Sequence, residues 1–334
     1  MSRSLYVLGA GASKHIGYPL VSTMGAEMLT WMSVRERYKD TAGSIRETFG
    51  DSPNIEDVVT ELEGMVIALE HSSETEDRIC RSIAISILEK VGEAVPIWFT
   101  EIHSRPALTY QQFAKKIVQP GDVIITFNYD DSLERELKRV GKWDIAQGYG
   151  FQIGKATTMS QVLMLKLHGS INWLASIFDG RTSGPFAGGN CALGQNPHVA
   201  TDYLKYLGYD DMPGTFPGGD AFPSLILPGR TKKFYYETSF GPEYEEFFSL
   251  QWSQAAGALN RADKIVLCGY SLLPVDRHAC DLLLSTPRKD THVIVVSGSD
   301  GQRIANQFRD AGLQNVDCYE KGYFETWVTE YATS

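Results

Sequence analysis

Hydrophobic positions along this chain fall into two kinds of pattern. Five short runs are almost continuously apolar: Leu5–Leu8, Val123–Thr126, Val162–Leu167, Lys264–Cys268 and His292–Val296. Runs this short, without polar alternation and rich in Val, Ile and Leu, predict strands buried on both faces, as in a parallel sheet covered by helices. The second pattern has the helical period. Asn54 followed by Asp57 predicts a helix N-terminus, after which Ile55, Val58, Val59, Leu62, Met65, Val66 and Leu69 form one stripe. Ile79, Ile83, Ile87, Leu88 and Val91 form a second. Both stripes are expected to face a core. Helical pattern fills roughly residues 20–118, too much for a simple crossover between two strands, so it predicts a helical subdomain packed against the sheet as a lid.

Each apolar run gives way at once to small or polar residues. They are Gly9-Ala10-Gly11-Ala12-Ser13, Phe127-Asn128-Tyr129-Asp130, His168-Gly169-Ser170, Gly269-Tyr270-Ser271 and Ser297-Gly298-Ser299-Asp300. Ligands of open parallel sheets bind outside the carboxyl ends of the strands, and five such endings would build one crevice together. Ordinary strand-to-helix turns favour the same residue types, so the repetition carries the inference rather than any one motif. Residues 176–235 differ in character. Their glycines and prolines break any long element, apart from a short helix near Thr201–Leu207, and predict an irregular insertion over one face. The expected architecture is α/β: a Rossmann-like parallel sheet with a helical insertion subdomain, one domain over residues 1–334 with insertions at about 20–118 and about 176–235.

Composition narrows the classes. At 43% hydrophobic and 22% charged residues, the chain can bury a sizeable core. A formal charge of −10 argues against direct nucleic-acid binding, which needs a basic face. Arg230, Thr231, Lys232 and Lys233 form a local basic stretch that reads as a solvated loop or a small patch. Cys80, Cys191, Cys268, Cys280 and Cys318 are odd in number and widely spaced, which indicates neither a disulfide framework nor a zinc site, and Cys268 reads as a core residue. The first apolar run is too short for a signal segment and no run reaches the length of a spanning helix, so no membrane role and a cytoplasmic location are expected.

The strand-end residues suggest chemistry. Glycines at Gly9 and Gly11 would let backbone approach a pyrophosphate at the start of a helix, although Lys14 stands where a dehydrogenase fingerprint needs its third glycine. Asn128 and Asp130, two apart in extended chain, face one way. They read either as an amide and a carboxylate in one pocket, or as an Asx-turn capping a helix that starts near Asp131. His168 stands at a strand end beside a glycine that leaves room for a ligand, and an imidazole is a workable acid or base near neutral pH; a structural histidine is the alternative. His15 lies close enough to the glycine loop to reach a ligand but carries no assigned role. Gly269, Tyr270, Ser271, Ser297 and Asp300 suit a ribose and adenine pocket, with Asp300 alternatively the cap of a helix over Gln302–Phe308.

In this order, Gly-Ala-Gly-Ala-Ser with Gly17 and Pro19 downstream, Phe-Asn-Tyr-Asp, Leu-His-Gly-Ser and Gly-Tyr-Ser-Leu resemble the sirtuin superfamily. They look most like its bacterial branch of NAD⁺-consuming effectors of anti-phage defence. The resemblance spans roughly residues 4–20, 121–175 and 263–300. It implies NAD as substrate, Asn128 positioning attack on the nicotinamide ribose and His168 acting on the ribose hydroxyls. It further implies Asp130 facing the nicotinamide amide, Gly9, Ala10, Gly11, Ala12 and Ser13 at the pyrophosphate, and Gly269 and Ser271 at the adenosine half. Protein-deacylating members carry four zinc cysteines soon after the His-Gly pair, whereas here that region holds Cys191 alone. Pro19 is followed by Leu20-Val21-Ser22 in place of the usual Asp-Phe-Arg. Both departures favour water over an acetyl-lysine as nucleophile, hence hydrolysis of NAD⁺ to nicotinamide and ADP-ribose.

A non-catalytic NAD or ADP-ribose sensor, a zinc-free deacylase or ADP-ribosyltransferase, and an ordinary dehydrogenase are the competing readings. A freely active NADase would drain its own cell. The hydrolase reading therefore predicts a homo-oligomer built through the helical region, or an activating partner such as a nucleoside triphosphatase or a nucleic-acid-guided protein. The cysteine spacing makes a direct prediction: treatment with a chelator leaves the thermal unfolding midpoint unchanged, and stoichiometric zinc lost together with the fold would contradict it.

Overall fold

The computed structural model describes residues 3–145, 147–150, 160–176, 198–199, 221–225, 227, 242–273 and 276–333. In chain order the strands are β1 (Ser4–Leu8), β2 (Val123–Thr126), β3 (Leu163–Lys166), β4 (Gly169–Ser176), β5 (His198–Val199), β6 (Ala221–Leu225), β7 (Lys264–Cys268), β8 (His292–Val296) and β9 (Asn315–Cys318). The helices are α1 (Ala10–Ser13), α2 (Val21–Ser33), α3 (Glu36–Phe49), α4 (Ile55–Ala68), α5 (Thr75–His103), α6 (Leu108–Gln112), α7 (Ser132–Arg139), α8 (Pro242–Arg261), α9 (Arg277–Ser285), α10 (Gly301–Asp310) and α11 (Phe324–Thr333). No described helix is long and apolar enough to cross a membrane. The chain divides into two compact units, one of Met1–Tyr18, Arg105–Ser170 and Phe248–Ser334, the other of Pro19–Ser104 and Ile171–Phe247.

The first unit holds a six-stranded sheet in the order β3-β2-β1-β7-β8-β9, parallel throughout. This is the doubly wound Rossmann order, with the chain reversing its direction of travel between β1 and β7. The fold is therefore the expected α/β class. One face of the sheet buries Leu5, Val7, Ile125, Leu165, Ile265, Leu267, Val293 and Val295 against α8, α9 and α10, through residues such as Leu259, Leu283 and Phe308. The other face meets aromatic side chains: the Tyr6 ring lies edge-on to Phe113 at 5.0 Å, and Phe113 in turn to Phe324 of α11 at 5.4 Å. Strands covered on both faces explain why their sequences show no alternation.

Two strands escape the pattern of apolar runs. β9 is an edge strand with only Val316 buried, so its sequence carries no run. β4 starts at Gly169, where the sequence reading expects a loop; Gly169 itself turns at a φ of 81°, and Ser170, Ile171, Asn172 and Trp173 are then all buried. In a three-stranded sheet of order β5-β4-β6, Trp173 pairs with Val199.

In the second unit, Asn54 caps α4 by accepting the Glu56 N–H at 2.9 Å. The helix stripes need correction. Ile55, Val58, Val59, Leu62 and Val66 of α4 are buried, but Met65 is 41% exposed. On α5 the buried face begins only at Ala84 and runs through Ile85, Leu88, Val91 and Val95, while Ile79 and Ile83 are more than half exposed. The apolar period alone mistook the isoleucines for the buried edge because small residues such as Ala84 and Ala94 complete the true one. The helix expected near Thr201–Leu207, the basic stretch at 230–233 and Cys191 lie outside the described residues.

Candidate functional site

The strand ends of the first unit stay in register beyond the sheet. Leu8 pairs with both Thr126 and Cys268, and Thr126 with Lys166. Ala10, Asn128, His168 and Tyr270 each stand two residues beyond these paired positions, just past the carboxyl ends of β1, β2, β3 and β7. The loops after β1 and β7, at the reversal point, are locked together. Gly9 N–H donates to Cys268 O at 3.0 Å, Gly11 N–H to Gly269 O at 2.9 Å, and Gly269 N–H to Val296 O at 3.0 Å. A Cβ on Gly9 would lie 2.6 Å from Tyr270 Cα, and one on Gly11 2.8 Å from Gly269 Cα. On Gly269, which has a φ of +61°, it would lie 2.4 Å from the Ala12 nitrogen. Glycine is thus required here by backbone meeting backbone. The N–H groups of Gly11 and Ala12 are both used within the protein, Ala12 donating to Gly9 O. α1 is a single turn followed by a 3₁₀ turn at Lys14–Ile16.

Ser13, buried at the end of α1, is a hub. Its hydroxyl donates to Asp130 Oδ2 at 2.7 Å and accepts from Asn128 Nδ2 at 3.0 Å. With its one proton committed, the Tyr110 hydroxyl at 2.8 Å must be a donor to it. Asn128 Nδ2 also donates to Gly9 O at 2.9 Å. A carbonyl oxygen only accepts, so the amide nitrogen must point this way. Both amide protons of Asn128 are then committed, and its Oδ1, with no hydrogen bond among the described residues, is left as a pure acceptor. Asp130 follows the Asx-turn alternative: Oδ1 accepts the Ser132 N–H at 3.1 Å at the start of α7. Asn128 and Asp130 do face one way, and what they meet is Ser13.

Beneath this network lies a charge that the sequence reading passed over. Lys166 on β3 is fully buried, and its ammonium donates to Asp130 O and to Glu134 Oε1 at 2.8 Å. Burial pushes the Glu134 carboxyl up from the usual carboxylate range, and the Lys166 charge pulls it back. Tyr149 donates to the same carboxylate at 3.2 Å. The signal was present as a lysine inside Leu163-Met164-Leu165-Lys166-Leu167, where a chain covered on both faces should be apolar.

His168 is buried, with the edge of its ring on Phe127 at 5.0 Å between centroids. Its Nε2 lies 3.6 Å from Asp276 Oδ2. Tyr270 stacks on Phe127, the two rings 4.3 Å apart at an interplanar angle of 18°. Ser297 Oγ reaches Tyr270 O at 3.5 Å, and the backbone of Ser271 accepts from Arg303 at 2.7 Å. Asp300 occupies the cap position of α10 but makes no side-chain cap bond, and lies 3.6 Å from Arg303. His15 is structural: its Nδ1 donates to Ala12 O at 2.8 Å, its ring packs on Tyr110, and burial lowers its pKa. Among the described residues no group of His, Cys, Asp and Glu is placed to hold a metal ion.

No family model and no curated protein matches the chain. Solved structures that it resembles include a Sir2 enzyme described for its mechanism and regulation, at 14% identity and TM-score 0.44, over 99% of this chain and 93% of that one. A Sir2 mutant with p53 peptide and NAD matches at 10% identity and TM-score 0.42, over 99% and 92%. A Sir2 homologue complex with 2'-O-acetyl ADP-ribose matches at 12% and 0.45, over 99% and 91%.

The buried pair at the base of the site yields a stability prediction. Lys166→Met strands the Glu134 carboxylate and should cost about 3–5 kcal/mol in denaturant unfolding. The double variant Lys166→Met with Glu134→Leu should cost markedly less than the sum of the single changes. Additive costs would show that the two groups do not act as a pair.

Proposed function

We propose that the chain binds NAD⁺ at the carboxyl ends of β1, β2, β3 and β7 and hydrolyses its nicotinamide–ribose bond. The observation that carries the reading is the commitment of Asn128: its two amide protons go to Gly9 O and Ser13 Oγ, so the side chain has no donor to spare and offers a ligand only its acceptor Oδ1. An acceptor fixed at a strand end suits a water or a ribose hydroxyl, and the sequence-order resemblance to sirtuins supplies the substrate class.

Nicotinamide carries a positive charge in NAD⁺ and leaves with the bonding electron pair as a neutral base. The ribose carbon passes through an oxocarbenium-like state, as in other glycosidic cleavages. Asn128 Oδ1 accepts a hydrogen bond from the attacking water and holds it at that carbon. His168 accepts a hydrogen bond, or the proton, from a ribose hydroxyl and returns that proton to the same oxygen once water has added, while one proton of the water is released to solvent as the C–O bond forms. Ala10, Ser13, Gly269, Ser271 and Ser297 border the remaining nucleotide, and Asp130 contributes by fixing Ser13. A positioned water and a preorganised acceptor supply most of the rate.

An enzyme of this kind in the cytoplasm needs control, so the reading extends to an NAD-depleting effector of anti-phage defence, silent until assembled. Self-association through α2–α5, where Met65, Ile79 and Ile83 are exposed, or an activating partner protein would supply the trigger.

The test pairs NAD⁺ affinity by calorimetry with nicotinamide release under activating conditions. His168→Ala should bind NAD⁺ nearly as wild type does while turnover falls by about 10²-fold or more, the scale of a lost general acid–base group. Weakened affinity in the variant, together with no nicotinamide release from wild type under any activating condition, would make the chain a nucleotide sensor instead.

A further inference from the structure

Asp276 belongs to no motif of the sequence, yet it stands where three strand-end loops converge. It precedes α9 and caps that helix, Oδ1 accepting the Ala279 N–H at 3.4 Å. Capping uses one oxygen. The other, Oδ2, accepts the Tyr270 hydroxyl at 3.0 Å and lies 3.6 Å from His168 Nε2. Tyr270 is itself fixed, because its ring stacks on Phe127, whose own ring meets the edge of His168. Four side chains thus form a closed circuit: Phe127 after β2, His168 after β3, and Tyr270 and Asp276 after β7. A helix cap alone would not need the second oxygen to be aimed at an imidazole.

We propose that Asp276, oriented by Tyr270, is a positioning residue for His168: its carboxylate fixes the ring and offsets the positive charge that appears when the imidazole takes a proton. This deepens the hydrolase reading and rests on it for the source of the proton, a ribose hydroxyl. When that proton moves to His168, the hydroxyl oxygen keeps the electron pair and an imidazolium–carboxylate pair forms over 3.6 Å, until the proton returns to that oxygen after water has added. An opposite charge at such a distance favours the charged imidazole by the equivalent of about one pH unit or more. Other titratable groups described near this end of the sheet have partners of their own. Asp130 is held by Ser13 and Ser132, Glu134 and Lys166 by one another, and the His278 ring lies 5.5 Å from that of Trp252.

The imidazole titration of His168, followed by NMR in the ligand-free full chain between about pH 5 and 8, reads this contact without any turnover. Asp276→Asn keeps an oxygen to cap α9 and loses the charge, so the His168 midpoint should fall by roughly one unit. Asp276→Ser also keeps a capping oxygen and should give the same shift, which covers a failure of the first variant to fold. Asp276→Glu restores the charge and should return the midpoint most of the way. In the activated protein, the acid limb of nicotinamide release should move to lower pH with the midpoint, since the base is neutral at lower pH. An unchanged His168 titration in both carboxylate-free variants overturns the proposal. Absence of nicotinamide release from wild type would count against the hydrolase reading alone, and the titration would still decide the role of Asp276.

Discussion

The contact of Gly9 and Gly11 with Gly269 is the constraint on which the site depends. Two strand-end loops meet there backbone to backbone, with the Gly11 N–H bonded to Gly269 O and no space for a Cβ on any of the three residues. The contact falls at the reversal point of a doubly wound sheet, the place where such folds open a crevice. Closing the two loops fixes the path of α1 and hence Ser13. Ser13 then fixes Asn128 and Asp130 by hydrogen bonds of 3.0 and 2.7 Å. What the glycines provide is a rigid floor; the chemistry is carried by side chains standing on it.

That floor is polar inside, which is unusual for the covered face of a parallel sheet. Ser13, Tyr110, Asp130, Ser132, Glu134 and Lys166 are all buried, and each has a partner within the network. A buried network of this kind holds only when its members are satisfied, because an unpaired group in a low dielectric costs more than the bond it would make is worth in water. Its consequence is orientation. The amide of Asn128 has one allowed direction, so its free oxygen does too. His168 is held from elsewhere as well, its ring against Phe127 and its Nε2 3.6 Å from Asp276.

The chain announces its sheet plainly. β1, β2, β7 and β8 occupy apolar runs and β3 lies inside the run Val162–Leu167, because strands covered on both faces are apolar nearly throughout. β9 was illegible because an edge strand with one buried residue has no such requirement. β4 was hidden because its first residue, Gly169, is the turn itself, and the strand is buried from there through Trp173. The helix stripes were half legible: period marked the helices, but period cannot tell an exposed Ile79 from a buried Ala84. For the site, local motifs pointed to Ser13, Asn128 and His168. Their partners Tyr110 and Asp276 lie 97 residues from Ser13 and far beyond His168 in sequence, and no local pattern connects them. The glycines were legible while their reason was not, since a ligand and a neighbouring loop place the same demand on the chain.

The claim that these strand ends form an NAD⁺ site is tested most directly by a crystal structure of Asn128→Ala soaked with NAD⁺, a variant expected to bind without turnover. The account predicts density for the intact dinucleotide over the ends of β1 and β7, with a hydroxyl of the nicotinamide ribose within hydrogen-bond reach of His168. A dinucleotide bound elsewhere on the chain, or one whose nicotinamide ribose lies away from His168 and residue 128, would contradict it.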